Sequence, residues 1–414
     1  MAASVRILAA LLAALAGDLA AQRPRVDLEA VVRRPEVARA LAIVGQAEAR
    51  SVATLIELAS IVSPSGREHE RARAVAGRMR EIGLAGVEVD STPNVVGAIP
   101  GTSGRAIVFV TMLDDLPVIE GFQRAGDRPR RVGDRVVGPA VELQSMVAAM
   151  LTAAEALTRA RLEPRHDLIF AGVAREETGL EGMQALYRRY RERAVAFVEL
   201  LGDGREIAYG AAGAIAWWKV IASGPEGHTM EGGLPNVNQA IARAVDGVLG
   251  LDPRRYADPE AAINVGIIRS GEVFNHKPAS GWFSIDLRAR EPGTVERIGR
   301  DLDSLLARVA GETGIALRKV PEVQSLGGQI EGARDTTLTR AALAVSRHLG
   351  LEPTVSDRGC CNMRVAVAGG TLAIAVDGER GGARATVDEW ADVGHMMTAA
   401  RQVVLLAALS DALR

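Results

Sequence analysis

The amino-acid sequence predicts an α/β protein: a mostly parallel sheet flanked by helices, with a smaller ferredoxin-like α+β domain inserted into it. Three observations carry this. Short β-rich apolar runs alternate with helix-favouring stretches over residues 27–212; the order changes to β-α-β-β-α-β over 213–323; and the first pattern resumes over 324–414. With 414 residues, 48% of them hydrophobic, the chain has apolar material for two cores.

In chain order, residues 1–21 come first. A basic Arg6 precedes an apolar run over residues 7–16, and small-residue cleavage candidates follow, as in a secretory signal; the run is too short to span a bilayer. A secreted or periplasmic location follows as an expectation. Asp27 to Leu58 is rich in Ala, Glu and Arg and favours helix, the turn Ser63-Pro64-Ser65-Gly66 ends it, and Glu68 to Ile82 favours a second helix. Strands are expected at 106–112, 167–173 and 195–201, with helices at 146–160 and 182–192 between and around them. In the insert, strands at 214–222, 262–270, 280–290 and 315–320 enclose helices at 236–249 and 295–309. A helix at 336–349, a strand at 371–376 and a closing helix at 393–413 complete the chain.

Composition excludes some partners. The 49 basic and 51 acidic residues are interspersed and leave a net charge of −2, so no uniform field attracts phosphate or anionic lipid. Only 3% of residues are aromatic, which removes stacking platforms for single strands. Nucleic acid is not an expected partner. The two cysteines, Cys360 and Cys361, are adjacent and bridge only through a strained ring, so they are expected as buried thiols acting as small apolar residues.

In an open α/β sheet, ligands gather beyond the carboxyl ends of the strands. Asp114 and Asp115, Glu176 and Glu177, and the segment Glu199 to Asp203 fall there, joined by Glu142 at a helix start. So many acids repel one another unless a cation, an arginine or added protons relieve them.

At these residues the chain resembles the M20 family of metallopeptidases and amidases, the carboxypeptidase, aminoacylase and tripeptidase type. The resemblance runs through Ser63 to Gly66, Asp90 with Asn94 to Gly97, Thr111-Met112-Leu113-Asp114, Gly138 to Met150, Arg175 to Gly182, Gly224 to Thr229, Asn236 to Asn238, Asn275 to Pro278, and Ala385 to Trp390. It implies a zinc-exopeptidase-like fold whose insert is a lid and dimerisation domain. In the family chemistry two zinc ions activate a bridging water against an amide carbonyl. By the match, Glu176 is the general base, Glu177 and Glu142 are metal ligands, Asp114 orients an imidazole ligand, His228 is a lid residue that polarises the substrate carbonyl, and Asn275 contacts substrate.

The chain departs from that pattern where it matters. Met112 and Ala385 stand at imidazole positions, Glu142 at the bridging aspartate and Leu201 at the terminal carboxylate, with Glu199 or Asp203 in its place if the register shifts. A thioether is a poor zinc ligand and an alanine is none. Two readings therefore stand: a homologue with an eroded metal site that binds a peptide or N-acyl amino acid, or an active hydrolase using one divalent cation (manganese, magnesium or zinc) on the acid-rich site. A homodimer through the lid is expected in either. Trp217 and Trp218 are expected on opposite faces of the lid's first strand, and Asp286 and Arg288 as a lid-internal pair.

Overall fold

The computed structural model describes residues 27–413 except residue 326; the expected export signal at 1–21 lies outside the described residues. The chain forms two compact units, one of residues up to 209 with 331–356 and those from 371 on, the other of 210–330 with 357–370. The return from the insert therefore comes at 331 rather than 324, and 357–370 goes back to the second unit. That stretch is tied there by Gly359 N–H donating to Gly210 O at 2.7 Å and by Arg358 pairing with Glu260 at 2.6 Å.

The helix-favouring start breaks into α1 (Leu28–Val32), α2 (Pro35–Gly45) and α3 (Glu48–Ala59). Pro35 accounts for the first break, because it has no N–H to continue α1 but suits the first turn of α2. Next, α4 (His69–Ile82) stops at Gly83, whose φ of 88° is the left-handed cap that glycine adopts freely. Strands β1 (Ala85–Val89), β2 (Val95–Ile99) and β3 (Ala106–Met112) follow, then the short β4 (Arg130–Val132) and β5 (Arg135–Val137). Helix α5 (Val141–Ala160) starts five residues earlier than expected. Beyond it lie β6 (Asp167–Val173), α6 (Glu181–Tyr190), β7 (Ala194–Leu200) and β8 (Glu206–Ala208).

The second unit begins with β9 (Ala214–Ser223), on which alternate residues are buried. Trp218 lies in the core, whereas Trp217 points to the other face and donates Nε1–H to Asp286 at 2.9 Å. After the short β10 (Gly227–His228) come α7 (Val237–Leu249), β11 (Ala262–Asn264), β12 (Ile268–Ser270) and β13 (His276–Lys277). Then β14 (Ser280–Ala289), α8 (Pro292–Thr313) and β15 (Ala316–Ser325) complete the β-α-β-β-α-β order. The strand expected at 262–270 is two pieces on the same neighbour, because the Ser284 hydroxyl accepts the N–H groups of Gly266 and Ile267 between them. Arg288 and Asp286 pair at 2.7 Å within the sheet, as expected.

The first unit resumes with α9 (Thr337–His348) and β16 (Thr354–Ser356), and α10 (Met363–Ala368) belongs to the second. Strands β17 (Ala373–Asp377), β18 (Gly381–Gly382) and β19 (Trp390–Asp392) lead into α11 (Val393–Leu409). The main sheet has the order β1-β2-β6-β3-β7-β17-β8-β16, with β6, β3, β7 and β17 parallel at its centre. Every residue of β3 and β7 is buried, as a parallel strand covered on both faces requires. Helix α5 is buried along most of its length, and its run of alanines lets α2, α3 and α11 approach closely. The stretch Val393–Ala412 is long and apolar enough to cross a bilayer, but 78% of its apolar window is buried inside the protein, which marks a core helix.

A second sheet, β18-β19-β5-β4, brings residues 380–392 to the start of α5. Gly381 is required at this approach, since a Cβ there would lie 1.9 Å from Trp390 O. In the main sheet, Phe109 on β3 sits opposite Phe170 on β6 with ring centroids 5.6 Å apart, both fully buried. Phe109→Ala is expected to lower the unfolding free energy by about 3–5 kcal/mol, read as a lower urea midpoint at unchanged slope.

Candidate functional site

The acids expected beyond the strand ends converge in the first unit. Met112 is the last residue of β3 and is buried opposite Val173, so its thioether is packed in the sheet. Beyond it the chain turns under the segment Ser63 to Gly66: Asp115 N–H donates to Ser63 O at 2.9 Å and Ser65 N–H to Asp115 O at 3.0 Å.

Asp114 is fully buried, and its Oδ2 accepts the Glu177 N–H at 2.9 Å, which ties the end of β3 to the paired-glutamate loop after β6. Burial drives its pKa up to about 6 against the pull of that bond and of others from Ser65 and the Glu176 backbone. Asp115 pairs with Arg71 at 2.7 Å, both buried. Desolvation outweighs even that guanidinium and holds Asp115 at about 7. Arg71 also donates to the carbonyls of Leu58 at 3.1 Å, Leu113 at 2.7 Å and Ile61 at 2.5 Å, so one cation from α4 ties the end of α3 to the end of β3.

The paired glutamates sit on a tight loop in which Arg175 and Leu180 have φ of 54° and 60°, a costly conformation for residues with a Cβ. The loop is held by Glu68, whose buried Oε1 accepts the N–H of Arg175 at 2.9 Å and of Gly66 at 2.7 Å. Glu176, the expected general base, is buried. Glu177 and Glu142, the expected metal ligands, each hold an arginine: Arg380 Nε lies 2.5 Å from Glu142 Oε1, and Arg384 pairs with Glu177 while its Nε lies 3.9 Å from Glu142 Oε2. Desolvation still raises the Glu177 pKa despite Arg384 and Arg380. Glu389 completes the group. Its Oε1 accepts the Glu142 N–H at 2.8 Å and its Oε2 the Ala385 N–H at 2.9 Å, and burial raises its pKa above the usual carboxylate range.

Ala385, at an expected ligand position, has φ of 60° and offers the site only its backbone N–H. Leu201 is buried and donates its N–H to Val376 O at 2.8 Å, stitching β7 to β17. Of the alternatives to Leu201, Glu199 is buried within β7, and Asp203 accepts the N–H groups of Arg205 and Glu379 at 3.2 Å. Among the described residues no group of three or more His, Cys, Asp and Glu has an arrangement that holds a metal ion. In the second unit, the pairing of β10 with β13 brings His228 and Asn275 together: Asn275 Nδ2 lies 3.3 Å from His228 Nε2, and the Met230 N–H donates to His228 Nδ1 at 3.2 Å.

Sequence reasoning assembled Asp114, Glu142, Glu176 and Glu177 but missed Glu68, Arg71, Arg380, Arg384 and Glu389. For two of these a signal was present: Arg384 stands directly before Ala385, and Arg380 is four residues earlier, so two cations flank the place where an imidazole was expected.

The sequence profile of Peptidase family M28 matches residues 94–214, under a third of the chain and the part that carries β3, β6 and the paired glutamates. No protein of curated function matches. Among solved structures, the aminopeptidase PepT from Bacillus cereus is similar with 18% identity and a TM-score of 0.66, over 87% of this chain and 98% of that one. The dipeptidase Dug1p from Saccharomyces cerevisiae is similar with 10% identity and a TM-score of 0.71, over 91% and 99%. YxeP from Bacillus subtilis, described as a dinuclear metal binding peptidase of the M20 family, is similar with 13% identity and a TM-score of 0.60, over 89% and 99%. The fold is thus that of M20-like metallopeptidases and amidases, a mixed α/β hydrolase architecture built on a large, mostly parallel sheet.

A carboxylate with a raised pKa binds its proton more readily in the folded chain than in the unfolded one. Its contribution is complete below the unfolded value near 3.8 and, for Asp114, is lost as pH rises through about 6. Asp114→Asn keeps an acceptor for the Glu177 N–H and removes this titration. The variant is expected to gain on the order of 3 kcal/mol relative to wild type between about pH 4 and pH 7, read from urea unfolding across that range.

Proposed function

We propose that this protein binds a peptide or N-acyl amino acid at the carboxyl ends of its central strands and carries out little or no two-zinc hydrolysis. One observation carries the reading: the two carboxylates that would take cations, Glu142 and Glu177, are paired with Arg380 and Arg384. A metal ion there would have to displace two guanidiniums, and the remaining expected positions offer a packed thioether, a leucine and an alanine, so the residues do not fit a pair of zinc ions. The peptide or acyl amino acid class is supported by the peptidases that share the fold. It is supported also by Arg384, whose side chain is 41% exposed and can direct remaining N–H groups at a ligand carboxylate. In this reading Glu176 serves binding.

A hydrolase using one divalent cation is the second reading; burial raises the pKa of Asp114, Asp115, Glu177 and Glu389, and a bound cation would offset the cost of holding their charges out of water. Export to a periplasmic or extracellular location belongs to the proposal on the strength of residues 1–21. So does a homodimer through the lid, where Met230, Val273 and Phe274 expose large apolar side chains.

Purified protein is expected to contain no stoichiometric zinc by elemental analysis and to show no chelator-sensitive turnover of dipeptides or N-acyl amino acids. Stoichiometric zinc with such turnover overturns the first reading; manganese-dependent turnover lost in Glu176→Gln establishes the second. In an Arg380→Ala, Arg384→Ala double variant, freeing the two glutamates is expected to tighten manganese binding at least about tenfold by calorimetric titration, about 1.4 kcal/mol. Phe274→Glu is expected to convert the dimer to monomer in sedimentation velocity without loss of secondary structure.

A further inference from the structure

The expectation of buried, inert thiols at Cys360 and Cys361 does not hold: Cys360 is exposed, Cys361 is half-buried, and their sulfur atoms lie 2.7 Å apart. We propose that this vicinal pair is a redox modification site, a dithiol that closes reversibly to an intrachain disulfide by exchange with a small-molecule disulfide.

Successive side chains along an extended backbone point in opposite directions, so adjacent sulfurs meet only if the backbone turns between them. Here Cys361 has φ of 61°, a left-handed conformation rare for a residue with a Cβ. Such a conformation persists only where the surroundings enforce it. The surroundings do so from both sides of the pair. Gly359 donates its N–H to Gly210 O at 2.7 Å, and a Cβ at Gly359 would lie 2.0 Å from Met363 Sδ and 2.5 Å from Gly210 O, so the chain is pinned before the thiols. After them Asn362, Met363 and Arg364 are all buried. Arg364 donates through Nη2 to Gly213 O; burial lowers its pKa, and the neighbouring Cys360 and Cys361 only partly oppose that shift. The thiolates are the attacking species in exchange, and the exposure of Cys360 gives a small disulfide access to the pair.

The exchange balances as follows. The exposed Cys360 thiolate attacks one sulfur of oxidised glutathione, forms a mixed disulfide and releases one glutathione thiolate. The Cys361 thiolate then attacks Cys360 Sγ, forms the Cys360–Cys361 bond and releases the second glutathione thiolate. Two protons go to solvent, the protein loses two electrons, and glutathione disulfide gains them. Because the ring closed between neighbours is strained, the bond is readily reduced, which suits a reversible modification and not a structural staple.

Full-length folded protein is incubated with excess oxidised glutathione and its intact mass and thiol count are read. The expected result is loss of two hydrogens in mass and of both titratable thiols, with no retained adduct, reversed by dithiothreitol. Cys360→Ser and Cys361→Ser, which lack the second sulfur, are expected to accumulate one glutathione each wherever they react and never to show the two-hydrogen loss. Stable glutathione adducts on the wild-type chain overturn the proposal. Disulfide-linked dimers do so as well, as does a folded chain that keeps both thiols while its urea-unfolded form reacts. Cys→Ser variants that unfold leave the wild-type mass measurement to decide.

Discussion

Asp114, Asp115, Glu142, Glu177 and Glu389 converge at the ends of β3 and β6 and the start of α5, and the guanidiniums of Arg71, Arg380 and Arg384 are what allow so many acids to share a buried place. Bringing carboxylates out of water is unfavourable by several kcal/mol each, and their mutual repulsion grows as the local dielectric falls. Three arginines compensate this in part. The persistent upward pKa shifts of Asp114, Asp115, Glu177 and Glu389 show that the remainder is met by readiness to take protons.

The same acids do mechanical work through their hydrogen bonds. Glu68 bridges the Ser63–Gly66 turn to the loop after β6, Asp114 bridges the end of β3 to that loop, and Glu389 bridges the start of α5 to the turn at Ala385. Each clip uses a carboxylate to satisfy backbone N–H groups that loops would otherwise leave without partners. The result is a rigid rim at the carboxyl edge of the sheet, where α/β proteins place ligands. Arg380 and Arg384 reach the rim from the hairpin ahead of β19, and Gly381 permits that approach because it has no side chain to collide with Trp390. An arrangement with internal counter-ions needs no exogenous cation to hold its shape, which is the physical content of the proposed loss of two-zinc chemistry.

The second unit is built on simpler terms. Strict alternation along β9 and β14 buries one face against α7 and α8 and leaves the other for polar pairs such as Trp217 with Asp286 and Arg288. Its special features lie in the connections: the His228 and Asn275 contact across β10 and β13, and the turn that brings Cys360 and Cys361 together.

The sequence by itself determined the architecture. Fully buried strands such as β3 and β7 are continuous apolar runs, the second unit's strands alternate, and both patterns are local properties of a few consecutive residues, so Ala106–Met112 and Asp167–Val173 were legible to the residue. The acids beyond the strand ends were legible too, because a parallel sheet dictates where its ligands gather. Short strands such as β4, β5, β18 and β19 were not, since two or three residues carry no periodicity. Only the tertiary structure decided which cation each acid holds. Glu142 meets Arg380 across 238 residues and Glu177 meets Arg384 across 207, and such pairings depend on how distant loops are brought together in space, which no local pattern encodes.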